Sequence, residues 1–172
     1  AREIREVNSS GEAERILSWL SETKGVGFIT LADPRYPRLM IEAGAAPVLL
    51  WYRGDAGLLA KPVLTVGGST HSDREALYNA EVFGEALGTR NELLLSTGHF
   101  PGTETVFLAS VLRTGGRALV WQPCGPDRVW PSEGRDLLHE LLDKGGLIMT
   151  AVAPGFGFSP EGRELQTCCR MA

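Results

Sequence analysis

With 172 residues, 43% hydrophobic and 22% charged, the chain is long enough for one substantial core and has an ordinary globular balance. Its formal net charge of -4 and the absence of any cluster of three Lys/Arg count against strong phosphate-backbone binding by this chain alone, although folding can still gather scattered arginines. No apolar run approaches the roughly 18 residues of a membrane span and no apolar signal region opens the chain. Three cysteines (Cys124, Cys168, Cys169) make no disulfide framework, so the composition points to a cytoplasmic protein with free thiols.

In chain order, Ser10 to Glu22 reads as an amphipathic helix: Ser10 is placed as N-cap, and Ala13, Ile16, Leu17 and Leu20 recur at helical spacing beside Trp19. Lys24-Gly25 ends it, and Val26 to Leu31 is a short strand. The two prolines of Ala32 to Met40 predict a rigid, non-helical connection. Val48 to Tyr52 is an apolar strand stopped by the turn Arg53-Gly54-Asp55, and Ala56 to Lys61 is one helical turn.

From Pro62 strands and helices alternate. Strand Val63–Val66 precedes a helix from Asp73 to Leu87, with Leu77, Ala80, Phe83 and Leu87 on one face. Strand Leu93–Ser96 precedes a helix from Thr103 to Arg113, closed by Gly115-Gly116. Strand Ala118–Gln122 precedes a helix from Glu133 to Lys144, closed by Gly145-Gly146, and strand Leu147–Val152 follows. The remainder reads as loop with a short helix from Pro160. Four strands joined by helical crossovers predict an α/β fold: a Rossmann-like open parallel sheet with helices on both faces. Residues 1–60 are expected to form a short N-terminal helix and extended segment packed on it, and residues 61–172 the Rossmann-like domain. Ligands of such sheets sit at the carboxyl ends of the strands.

Two turns lie there. Gly67-Gly68-Ser69-Thr70-His71 offers a glycine pair, two hydroxyls and an imidazole at a helix start, which suits a phosphate or serves simply as a tight turn capped by Ser72 or Asp73. It matches neither G-x-G-x-x-G nor a P-loop. Ser96 to Glu104 repeats the arrangement: Gly98 and His99 follow the strand, Gly102 and Thr103 open the helix, and Glu104 suits the dipole of its first turn. His71, His99 and Cys124, with Asp127 close by, each follow a strand end, but their spacing fits no metal signature, so no metal and no cofactor is expected. Trp121, Trp130, Phe100 and Phe158 are aromatic candidates for base stacking. Trp121 reads as core, and Trp130, in a loop, is the better stacking candidate, although its leading role is to pack that loop against the sheet.

ADPRYPRLM, PVLLWYRGD and LLAKPVLTVGGS, in that order, resemble the DNA-processing protein A family, also called Smf. CGPDRVWPSEGRDL is similar to that family's C-G-x-D-x-x-Y-P-x-E-N-R through Cys124, Gly125, Asp127, Pro131, Glu133 and Arg135, with Trp130 in the aromatic place. GFSPEGR is similar to F-P-R-R-N-R through Phe158 and Arg163. The resemblance spans Val26 to Arg163. It implies a Rossmann-like, non-enzymatic, homodimeric protein that binds single-stranded DNA and loads it onto a RecA-type recombinase in natural transformation. The DNA or phosphate contacts would come from Gly67, Gly68, Ser69, Thr70, His71, Gly98, His99, Gly102, Thr103 and Arg163.

The departures fall on charge. Ser69 stands where the family's first phosphate turn has Arg, Pro101 replaces the Arg of its second motif, and Pro160 and Glu161 replace two Args of its third. Each lost phosphate contact weakens DNA affinity. Two alternatives follow from the wider superfamily, which includes phosphoribohydrolases: a nucleotide or small-phosphate binding protein (a sensor or weak hydrolase), and a scaffold that has lost its ligand. The family usually continues into another strand where this chain ends, which implies a trimmed chain or a shortened relative.

Overall fold

The computed structural model describes residues 11–44 and 46–171. The proposed cap Ser10 lies outside them. Helix α1 (Glu12–Glu22) starts after Gly11 and is followed by strand β1 (Val26–Thr30), a short helix α2 (Arg38–Glu42) and strand β2 (Leu49–Gly54). A 3-10 turn (Ala56–Ala60) leads to β3 (Val63–Thr65) and α3 (Arg74–Gly88). Then come β4 (Leu94–Thr97), α4 (Thr103–Arg113) and β5 (Ala118–Trp121). A second 3-10 turn (Ser132–Gly134) opens α5 (Arg135–Asp143), and β6 (Leu147–Thr150) and α6 (Pro160–Met171) complete the chain.

One six-stranded sheet runs in the order β1-β2-β6-β5-β4-β3. The expected parallel strands pair in register as Val63 with Leu94, Leu95 with Ala118, and Leu119 with Leu147. The two N-terminal strands lengthen the same sheet, β2 lying antiparallel to β6 and β1 antiparallel to β2. Because side chains alternate along a strand, neighbours separate into two cores. Leu94, Leu119, Leu147 and Met149 face Met40, Leu58 and Cys169 on one side. Leu95, Ala118, Val120 and Ile148 face Phe107, Leu108, Leu138 and Leu141 of α4 and α5 on the other. Trp121 is in the first core, 3% exposed, as expected for a strand residue.

Several boundaries differ from the sequence reading. The connection Ala32–Met40 is not extended throughout: Pro37 forms the N-cap of α2, because a proline ahead of a first turn forfeits no helical hydrogen bond. Arg53 and Gly54 are not a turn but the end of β2, held there by pairing with Ile148 and Leu147. Glu133 lies in a 3-10 turn, and the α-helix proper begins at Arg135. The helix expected from Pro160 is present as α6, and the largest difference is its length, three turns reaching Met171. Its start has the usual signals: the Ser159 hydroxyl accepts from the Gly162 amide at 3.0 Å, Pro160 takes the first helical position and Glu161 the first turn. Its buried face is Gly162, Gln166 and Cys169, too small and polar to register as an apolar stripe.

Helices α3 and α4 lie close through glycine. A Cβ on Gly84 would stand 2.6 Å from the Ser110 Cβ and 2.7 Å from the Phe107 carbonyl. Both contacts are backbone or short side chain, so neither helix can yield locally. Arg113 closes the same seam by bonding Glu81 at 2.8 Å and Glu85 at 2.9 Å. Gly84→Val is expected to lower unfolding stability by about 1–3 kcal/mol through overpacking, read as a lower urea midpoint at unchanged slope.

Candidate phosphate site

Both glycine turns lie at the carboxyl ends of neighbouring strands, and the structure brings them into contact. The Ser69 carbonyl accepts from the Thr103 amide at 3.3 Å, the Thr103 hydroxyl at 3.2 Å and the Ser72 hydroxyl at 2.7 Å. The amide and hydroxyl of Thr103, which the sequence offered to an anion, are therefore engaged by the first turn. Gly68 permits that approach, since a Cβ there would overlap the Thr103 hydroxyl and come 2.7 Å from its Cβ. Gly102 has φ +100, a region L side chains rarely adopt, and its Cα faces the Ser69–Thr70 backbone. Ser69 Oγ bonds the His71 backbone at 3.0 Å, and Thr70 Oγ1 contacts His71 Nδ1 at 3.2 Å. Gly67, Gly68, Ser69, Thr70 and His71 are exposed, and Gly102 and Thr103 half-buried.

Above Gly67 and Gly98 stands a residue that motif reasoning missed. Arg170, from α6 on one face of the sheet, forms an ion pair with Glu104, from α4 on the other. The pair crosses the strand ends where side chains are absent. A Cβ on Gly98 would overlap the Glu104 carboxylate and lie 3.1 Å from Arg170 Nη1, and a Cβ on Gly67 would lie 3.8 Å from the guanidinium carbon. Glu104 is thus not the exposed helix-dipole residue expected from its position; it is 3% exposed and held by a specific cation. Arg170 is placed by the rest of α6. Gln166 Nε2 donates to the Trp121 carbonyl at 2.8 Å, Cys169 enters the core, and Gly162 packs against Pro123. The spacing Gly162, Gln166, Cys169, Arg170 is one helical face, and that periodicity was the available signal.

Four buried polar atoms at this end of β4 and α6 have no hydrogen-bond partner among the described residues: Ser96 Oγ, Thr97 Oγ1, Glu104 Oε2 and Arg170 Nε. Ser96 and Arg170 open with Gly67, Gly68, Thr65 and Trp121 onto a groove of about 810 Å³ whose remaining walls mix apolar residues (Leu39, Met40, Val63) with Arg38 and Lys61. The expected contact residue Arg163 lies elsewhere. Its guanidinium is 5.1 Å from the ring centroid of Phe100. Phe100 meets Trp130 edge-on at 5.6 Å, and Trp130 stacks on Phe158 with centroids 3.8 Å apart and planes 14° apart. Phe158 remains 36% exposed.

His71, His99 and Cys124 do not converge, and no group of three metal-ligating side chains occurs among the described residues. Cys124 is fully buried and donates from its thiol to Gln122 Oε1 at 3.2 Å, and burial pushes its pKa up to about 12. His99 is 1% exposed. Burial lowers its pKa from 6.5 to about 4; the Trp130 backbone opposes this but makes no full hydrogen bond to either ring nitrogen. The imidazole is therefore neutral at pH 7 and carries no positive charge to an anion. The unfolded chain takes up this proton near pH 6.5 while the folded chain does not until about pH 4. His99 should therefore leave stability undiminished above pH 6.5 and reduce it between pH 6.5 and about 4, by about 1.4 kcal/mol per pH unit. Urea titrations across this window should show that slope in the native chain and a shallower one in His99→Phe.

Glu104 and Arg170 depend on each other. Arg170→Met leaves a buried carboxylate without its cation and is expected to cost about 3–5 kcal/mol, whereas Arg170→Met with Glu104→Leu should recover most of that loss. A double-mutant cycle on urea stability measures both.

The profile of the family described as DNA recombination-mediator protein A matches residues 27–161. The chain is 27% identical over 146 residues to DNA processing protein DprA of Streptococcus pneumoniae (strain ATCC BAA-255 / R6), covering 82% of this chain and 51% of the relative. It is 26% identical over 139 residues to protein Smf of Synechocystis sp. (strain ATCC 27184 / PCC 6803 / Kazusa), covering 78% and 34%. In fold it is similar to the X-ray structure of DNA processing protein A from Streptococcus pneumoniae, with a TM-score of 0.73, 24% identity, and 88% of this chain against 53% of that one. It is also similar to DNA processing protein A from Helicobacter pylori, a structure described for its single-stranded DNA binding mode, with a TM-score of 0.70, 15% identity, and 88% against 66%. The chain thus spans about half the length, or less, of the curated relatives it matches. By a match over residues 27–161, the chain belongs to the DNA recombination-mediator protein A family.

Proposed function

We propose that this chain binds single-stranded DNA across the carboxyl ends of its parallel strands, as a non-enzymatic part of DNA processing and recombination. The observation that carries the reading is the Trp130–Phe158 stack, with Phe158 exposed, backed by the buried Phe100 with Arg163 beside it and joined to the glycine turns through the loop at Gly98–Gly102. Aromatic faces bind any base, and a neighbouring guanidinium serves a base or a phosphate. A chain with net charge -4 gains little from counterion release, so stacking supplies most of its affinity. The single-stranded DNA binding described for the Helicobacter pylori relative supports this choice of ligand. Assembly as a homodimer, hand-over to a RecA-type recombinase and a role in natural transformation rest on the family resemblance. A cytoplasmic location fits the three free cysteines.

A second reading rests on the groove beside Ser96. Its polar end at Gly67, Gly68 and Arg170 and its apolar residues Met40 and Val63 suit one nucleotide, phosphate inward. A thermal-shift series with nucleotides separates the two readings, since a stabilised melting point with mononucleotides favours the groove.

For the leading reading, oligo-dT should bind at low salt with a dissociation constant of tens of micromolar or tighter. Trp130→Ala should weaken it by about 1–3 kcal/mol for each base stacked there. Fluorescence anisotropy measures both, and no binding by the native chain at tens of micromolar protein would sink the reading.

A further inference from the structure

We infer that the Glu104–Arg170 pair is a phosphate seat filled by the protein's own carboxylate, and that a phosphate ester reaches Arg170 by displacing Glu104. The inference rests on the reading that this end of the sheet takes phosphate, and it names the residue that limits binding.

Three observations lead to it. The pair stands over the Gly98 backbone, in space that a Cβ there would fill, with Gly67 in van der Waals reach of the guanidinium. The pairing is incomplete: Glu104 Oε2 and Arg170 Nε have no partner among the described residues. A guanidinium fork engages two oxygens of a carboxylate or a phosphate, and a pair built only for stability would use both donors and both oxygens. Finally, the Ser96 hydroxyl, on a residue 1% exposed, has no partner and belongs to the same groove wall as Arg170, Gly67 and Gly68. A phosphate entering along that groove finds the Arg170 Nε–H and the Ser96 hydroxyl as unused donors.

Chemically, the seat exchanges one anion for another. The Glu104 carboxylate neutralises Arg170 when no ligand is present, and the same charge opposes an incoming phosphate. Arg170 comes from α6 and not from the first turn, where Ser69 stands in place of the family's arginine. The cation is therefore restored by tertiary structure, under the control of a competing acid. No covalent step is involved.

The test compares thymidine 5′-monophosphate with oligo-dT on the native chain, Glu104→Gln and the double variant Glu104→Gln/Arg170→Gln, each checked for folding by circular dichroism. Glu104→Gln should bind thymidine monophosphate at least about fivefold more tightly than the native chain, and the double variant should lose the gain. A gain with oligo-dT as well identifies the DNA backbone as a source of the phosphate; a gain with the mononucleotide alone identifies a free nucleotide and still supports the seat. A folded Glu104→Gln that tightens neither ligand overturns the inference. Should Glu104→Gln fail to fold, the native chain decides by NMR: the Arg170 Nε–H resonance must shift on titration with millimolar thymidine monophosphate, and a stationary resonance overturns the inference. Failure of oligo-dT binding throughout, with thymidine monophosphate bound by Glu104→Gln, removes the DNA reading and leaves the seat standing.

Discussion

The ion pair between Glu104 and Arg170 ties the two layers of this protein together across the end of the sheet. Glu104 begins α4, which packs with α3 and α5 on one face; Arg170 ends α6, which lies on the other. Neither charge has much access to water, at 4% and 14% side-chain exposure, so each is tolerable only because the other is present. The pair also needs empty space above the end of β4, which Gly98 provides. A glycine that reads as a phosphate-binding signal in the sequence is, in this fold, also what makes room for a buried salt bridge.

Around that crossing the site divides by chemistry. On one side lie the two turns, locked through the Ser69 carbonyl, with their hydroxyls and amides already bonded to each other. On the other side lie the unpartnered Ser96 hydroxyl and the long groove running toward Met40 and Val63. Farther along the strand ends, Trp130 stacks on the exposed Phe158, with the buried Phe100 behind it and Arg163 over the Phe100 ring. The cations near these strand ends, Arg170 and Arg163, both come from α6. That is the arrangement a chain of net charge -4 can sustain without a basic track.

The two histidines that follow neighbouring strand ends meet different surroundings. His99 is sealed between Phe100 and the start of α5, where Gly134 allows contact with the ring, so it stays neutral. His71, one strand over, is exposed. The difference is the neighbouring element: α5 covers the β4 end, and nothing among the described residues covers the β3 edge, where Val63 and Leu64 are 51% and 39% exposed.

Much of the architecture was legible in the chain itself. The alternation from Val63 to Thr150 specified parallel strands and crossover helices, because apolar period and glycine stops are local properties. The same reading located both turns at the strand ends and put Trp121 in the core. It failed where burial uses small and polar residues. Gly162, Gln166 and Cys169 make a buried face with no apolar stripe, so the helix from Pro160 read as short and Arg170, in its last turn, was not singled out. It also could not tell that Glu104, placed by sequence in a favourable first turn, meets a cation 66 positions away. Sequence by itself determined the fold class and the position of the two glycine turns at the strand ends, since those follow from periodicity and turn chemistry along the chain. Only the tertiary structure decided which charges meet there, because a salt bridge between helices on opposite faces depends on how the sheet closes the distance between them.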